Sequence, residues 1–360
     1  MIRSILLTMV FAAAAHADAP AFDPATTDVR PGVDHRMILH VCDVDGTPIR
    51  PLIDDVELRH QLDRQGSATV SADGRRVAMD AFRSSTPRDI AGARIIVVNF
   101  DGSDARDIGD GSAPSLSPDG DRVVYSRFGQ SAVADGATSA GGSLWMHDLT
   151  TDEKFLLVDG GAFAPHWSPD GKTIAYTGGP DPDATDAGES GEGFYSDNNA
   201  QVRLFDLETG TTENLYPAEG FEFASINFAF DWSPPDKSSI GRRPSIGRRI
   251  VFGGMLTKEG IRGLATIDVD DGLPSLKIVR REQPGVSLRL DGPTAWSADA
   301  QTLLVTGDVE PWARQFRVSY PDGKVLGELP GLPPNLNAID PACTPDGRHL
   351  LLSLNNGAEW

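Results

Sequence analysis

Apolar residues along this chain come in short alternating bursts, and the bursts recur after the same kind of turn. The clearest instance is Ala164 to Gly179, A-P-H-W-S-P-D-G-K-T-I-A-Y-T-G-G. Pro165 to Ser168 is a short extended run, Pro169-Asp170-Gly171 carries turn chemistry, and Lys172 to Thr177 alternates with Ile174 and Tyr176 on one face. Pro presets φ, Asp can bond the backbone ahead of it, and Gly accepts the positive φ that a reversal needs. The stretch predicts a β-hairpin.

The same instruction occurs six times: Val70 to Gly74, Leu116 to Gly120, Trp167 to Gly171, Trp232 to Asp236, Trp296 to Ala300 and Cys343 to Gly347. Its Asp recurs at 73, 119, 170, 236, 299 and 346, a spacing of 46 to 66 residues. An apolar strand follows each copy, and a second strand pair with a D-x-D-G-like turn follows most of them. Short strands repeating at this period are the signature of propeller blades. The last copy, Ile339 to Leu354, supplies one pair only, whereas Met37 to Ile53 is an outer pair with nothing before it. Joining them predicts an all-β, six-bladed propeller of four-stranded antiparallel blades, its last blade shared by the two ends of the chain so that no sheet edge is left open.

The pattern P-x-W-S-P-D-G-[KR]-x-[IV]-A-[FY], best matched by Pro165 to Tyr176 and Pro114 to Tyr125, resembles the WD40-like repeat of the TolB-type β-propeller family. The resemblance covers roughly residues 36 to 354. The copies at 232, 296 and 343 depart from it by an extra Pro, a missing turn Gly and a Cys for Trp. It implies a periplasmic propeller like that of the family's namesake, but the twenty or so residues before the first strand leave no place for the namesake's α/β domain. Similar propellers accompany the hydrolase domain of prolyl oligopeptidase relatives, and in oligogalacturonate lyases the ring itself holds metal and substrate. Fold alone does not choose among these.

Residues 1–17 read as a signal peptide: Arg3, an apolar run from Ile5 to Ala15, and Ala15-His16-Ala17 before Asp18. Residues 18–34 are Ala-, Pro- and Asp-rich without periodicity and read as an extended arm; 35–360 form the propeller. Later apolar stretches fall well short of a membrane span. A net charge of -20 argues against nucleic acid and anionic membrane surfaces as partners. In an exported protein Cys42 and Cys343 can pair, and composition favours it. The strand map opposes it, putting them two strands apart, about 9–10 Å, where a disulfide needs about 7 Å. Both outcomes stay open at this point.

Candidate chemistry is sparse. Gly129-Gln-Ser131 and Gly188-Glu-Ser190 lack the second glycine of a nucleophile elbow, and no strand-to-helix context surrounds them. The histidines include no H-E-x-x-H pair; His166, on an inner strand, is the best placed for an axial metal, with blade packing as the other reading. In the loop Gly178 to Ala200, Asp181, Asp183 and Asp186 offer oxygens suited to Ca²⁺ or another divalent metal, although acidic Gly-rich inserts are also ordinary solvated loops. Long connections fall on the face opposite the S-P-D-G turns, and Phe194, Tyr195, Phe221, Phe223 and Trp312 would give that face aromatic anchors. The expectation is a monomeric, non-catalytic scaffold, periplasmic or secreted, that binds an envelope protein or peptide and needs no cofactor. The alternatives are a metal-dependent lyase or hydrolase acting on an extracellular polysaccharide or small molecule in the axial pocket, and a small-ligand sensor.

Overall fold

The computed structural model describes residues 36–83, 92–127, 142–178, 201–215, 230–235, 248–256, 261–272, 275–281, 283, 288–290, 293–309 and 311–355. The leader assigned to residues 1–17, the arm assigned to 18–34 and residue 35 lie outside them. The described residues open with β1 (Ile38–Asp43) and β2 (Pro48–Pro51), then a short helix, α1 (Val56–Gln61). The sequence reading had no helix there. Asp55 caps it, its Oδ1 accepting the Leu58 N–H at 2.7 Å.

Five blades then follow in chain order. The first holds β3 (Arg64–Val70), β4 (Arg76–Phe82), β5 (Arg94–Asn99) and β6 (Arg106–Asp110); the second β7 (Ser112–Leu116), β8 (Arg122–Arg127), β9 (Ser143–Asp148) and β10 (Lys154–Val158). The third holds β11 (Ala162–Trp167), β12 (Thr173–Gly178), β13 (Gln201–Asp206) and β14 (Thr212–Asn214); the fourth β15 (Phe230–Trp232), β16 (Arg249–Leu256), β17 (Ile261–Asp268) and β18 (Lys277–Arg281). The fifth holds β19 (Thr294–Trp296), β20 (Thr302–Val309), β21 (Trp312–Ser319) and β22 (Val325–Glu328). The sixth runs β23 (Asn337–Cys343), β24 (His349–Asn355), β1, β2, with Leu39 opposite Ser353 and Val41 opposite Leu351. The predicted six-bladed β-propeller, closed by strands from both ends of the chain, is what the structure shows.

Burial follows position in the blade. The second strand β12 is buried along its length, pressed between neighbouring blades, whereas the outermost β14 is exposed throughout. Each interface between neighbouring blades carries its own apolar cluster. At the closing interface Leu39, Val41 and Leu351 of the sixth blade meet Val77, Met79 and Ile96 of the first. Ring closure is thus held by side-chain packing as well as by strand pairing.

The repeated turn has one hydrogen-bond plan. In the third blade Ser168 Oγ donates to Asp170 Oδ1 at 2.6 Å and accepts the Thr173 N–H at 2.9 Å, while Asp170 Oδ1 accepts the Lys172 N–H. Ser71, Ser117, Ser297 and Thr344 repeat the arrangement with Asp73, Asp119, Asp299 and Asp346. These bonds hold all four of those carboxyls, and that of Asp170, below the usual range. Gly171 sits at φ +73°; where the fifth copy lacks glycine, Ala300 takes φ +55° instead. The departures in the fifth and sixth copies leave the turn geometry intact, while Asp236 of the fourth lies outside the described residues.

Cys42 and Cys343 are free thiols. Both face Leu350, one from each side of β24, so two strand spacings separate them and a bridge between them has no geometry to form in.

Candidate functional site

The innermost strands of the blades surround the axis. In four of them the pairing slips, between Gly66 and Thr69, Ser112 and Ser115, Phe163 and His166, and Ile339 and Ala342. Within each slip one residue adopts a left-handed conformation: Ser67 at φ 49°, Ala113 at 48°, Ala164 at 49° and Asp340 at 50°. These are bulges, which bend a strand and re-aim what it carries. A left-handed L-residue costs about 1–2 kcal/mol, least for Asp and Asn, so the repetition marks a built feature of the ring.

Hydrogen bonds from side chains strap neighbouring blades at this radius. Thr69 Oγ1 accepts the Leu116 N–H at 3.1 Å, Ser115 Oγ the Trp167 N–H at 2.9 Å and Asp231 Oδ2 the Trp296 N–H at 3.1 Å. One layer out, Asp80 Oδ2 accepts the Ala113 N–H and Ser126 Oγ the Ala164 N–H, each at 2.8 Å. Asp231 and Asp80 are therefore carboxylates in places where other blades use hydroxyls. Burial pushes Asp231 up to about 6 against the pull of its backbone donors.

Inside the bulges lies a cavity of about 490 Å³. Met37, Phe82, Ala113, Pro114, Ala164 and Pro293 make much of its wall apolar, while Asp80, Asp340, Ser112, Arg64 and His166 supply polar groups. Arg64 is the first residue of β3 and Phe82 the last of β4, so the cavity reaches the end of the ring away from the S-P-D-G turns. Asp80 and Asp340 flank Gly66: a Cβ at that glycine would lie 2.6 Å from Asp340 Oδ2 and 3.7 Å from Asp80 Oδ1. A side chain at Gly66 would displace the Asp340 carboxyl from its present place.

Burial and the neighbouring Asp80 push Asp340 up to about 7, although the Ser67 N–H pulls the other way. Burial raises Asp80 as well, against bonds from Ala113 and Ser67. His166 sits half-buried in the opposite wall, where desolvation holds its imidazole down to about 4, so it is neutral at physiological pH. The pair can hold or release a proton near neutrality, and the imidazole across the cavity carries no charge.

Of the residues singled out from sequence, His166 lines this cavity, but among the described residues no group of three or more His, Cys, Asp or Glu is placed to hold a metal ion. Trp312 is half-buried at the start of β21, paired with the exposed Val309 across the β20–β21 hairpin. That hairpin lies at the same end of the ring as the cavity mouth. Phe194, Tyr195, Phe221, Phe223, Asp181, Asp183 and Asp186 lie outside the described residues. Asp80, Asp340 and Ser112 escaped the sequence reading. Their signal is faint but present: overlaying the repeats places Asp340 where Ala113 and Ala164 stand, and Asp80 where Ser126 and Ser353 stand.

No family model matches the sequence, and neither does any curated protein sequence. The fold does match solved structures. A TolB-assigned protein from Agrobacterium tumefaciens superposes with a TM-score of 0.56 at 15% identity, covering 88% of this chain and 97% of that one. TolB from Acinetobacter baumannii gives 0.52 at 15% identity, covering 91% of this chain and 67% of its own. The architecture is that of the TolB-type six-bladed propeller. Among the described residues no helix is long and apolar enough to cross a membrane.

Proposed function

We propose that this chain is an exported, non-catalytic binding propeller of the cell envelope, which captures another protein or peptide on the face opposite the S-P-D-G turns. The observation that carries the reading is that the cavity mouth and the apolar Trp312–Val309 tip share that face. The TolB-type architecture supports it as analogy, and the leader-like residues 1–17 support export. The protein acts as a monomer and the reading needs no cofactor; Phe194, Tyr195, Phe221 and Phe223 are its further candidate anchors.

Expression with the native leader tests export: N-terminal sequencing of the mature protein should begin at Asp18. Capture of partners from envelope extract tests the face. Trp312→Ala should weaken capture at least tenfold with an unchanged melting temperature, whereas Lys172→Glu, at a turn on the other face, should leave it intact. Equal capture by both variants would refute the assignment. A carboxyl pair and a neutral imidazole in one cavity also suit proton transfer, and on that observation rests the second reading, a lyase or hydrolase acting in the axial pocket. Stoichiometric Mn²⁺, Zn²⁺ or Ca²⁺ in the purified protein, together with turnover lost in Asp340→Asn, would favour it.

A further inference from the structure

The axial cavity holds an imbalance of charge. The titratable or charged groups in its wall are Asp80 on β4, Asp340 on β23, Arg64 on β3 and His166 on β11. Among the described residues no cation pairs with either carboxyl; what sets the ionisation of Asp340 is burial, Asp80 and the Ser67 N–H. A buried carboxylate without a counter-cation either keeps its proton or gains a cationic occupant. A second group in the same wall is also unmet. Ser112, 3% exposed, has a hydroxyl with no hydrogen-bond partner among the described residues. Buried hydroxyls are nearly always bonded, so an orphan in the wall of a cavity marks where a polar partner is missing.

We propose that the axial cavity binds a protonated primary amine carried on an apolar body, its ammonium seated between Asp80 and Asp340 within reach of Ser112 Oγ and its body against Phe82, Met37 and Pro293. Three acceptors match the three N–H donors of an ammonium group. A divalent ion, which wants six or more oxygens or a closed set of ligands, finds no such set among the described residues. The volume of about 490 Å³ suits a small organic amine or the leading residues of a peptide with a free amino end. The inference stands apart from protein capture on the rim: either can fail without the other.

The test is titration calorimetry on the mature protein. At pH 8 phenethylamine, hexylamine and a Phe-leading tripeptide amide with a free amino end are titrated beside phenethyl alcohol, the N-acetylated tripeptide and CaCl₂ or ZnCl₂. At least one amine should bind with Kd below about 1 mM, and the uncharged counterparts should bind at least tenfold more weakly. Binding by the peptide alone identifies a peptide end as the source; binding by the small amines identifies the ammonium itself. Near pH 5.5, with the amine still charged, affinity should fall by up to about thirtyfold as Asp340 takes its proton. Asp340→Asn, which keeps a residue tolerant of φ 50°, should remove binding with the melt retained. Should that variant unfold, Ser112→Ala should still weaken binding threefold or more. Failure of all three amines, equal binding of the uncharged counterparts, stoichiometric metal binding in their place, or affinity unchanged in both variants would overturn the proposal.

Discussion

The Asp340–Asp80 pair makes an unusual demand on pH. In the unfolded chain Asp340 titrates near 3.8; in the fold it is pushed up to about 7. The folded state then holds a proton that the unfolded state has lost, so over this window stability falls as pH rises. The contribution is complete below about 3.8 and gone once pH has passed about 7. Between pH 5 and pH 8 a group with this shift is worth about 3 kcal/mol at 1.36 kcal/mol per pH unit. Opening to the cavity screens part of it, leaving about 2 kcal/mol. Urea unfolding followed by tryptophan fluorescence should therefore give a higher midpoint at pH 5 than at pH 8, and Asp340→Asn should flatten that difference. Acid does eventually win: the turn carboxyls at Asp73, Asp119, Asp170, Asp299 and Asp346 lie below their ordinary value, so the stability they contribute is lost as pH falls below about 3.8. Wild type and Asp340→Asn with parallel profiles from pH 5 to 8 would refute the assignment of a shared proton to this pair.

Ala300→Gly should stabilise the protein by about 0.5–1 kcal/mol, raising the melting temperature by about 1–2 °C in calorimetry, because it relieves a left-handed alanine at some cost in unfolded-state entropy. Ser168→Ala should cost about 1–3 kcal/mol by chemical denaturation, since it strips the acceptor from the Thr173 N–H and the donor from Asp170 in a fully buried site. Leu39→Ala, a fully buried deletion at the closing interface, should cost about 2–5 kcal/mol and increase protease cleavage near the N-terminal strand.

The ring was legible because its instruction is local and repeated. Ser168 and Asp170 close one turn with their own side chains, and five of the six copies show the same bonds, so spacing alone revealed the blades. Pairing of β1 with β24 was legible by elimination, since each end of the chain lacked the strands the other supplied. The helix at Val56–Gln61 was not, being a single turn and a half set by one cap rather than by apolar periodicity. The cavity was harder still. Asp340 matters because Gly66 on another strand leaves it room and Asp80 on a third stands beside it, and no separation along the chain encodes that meeting. What sequence did hold was an exception, an acid at 340 where the second and third repeats carry Ala113 and Ala164 and the first Ser67.

Closure by β1 also determines how the molecule would respond to force. Ile38 lies opposite Leu354, and Asn355 Nδ2 donates to the Arg36 carbonyl across 319 positions of chain. The strands are antiparallel, so residues 36 and 355 lie at the same corner of the sheet. Tension applied through both ends would load those bonds in single file, parting them like a zipper at low force.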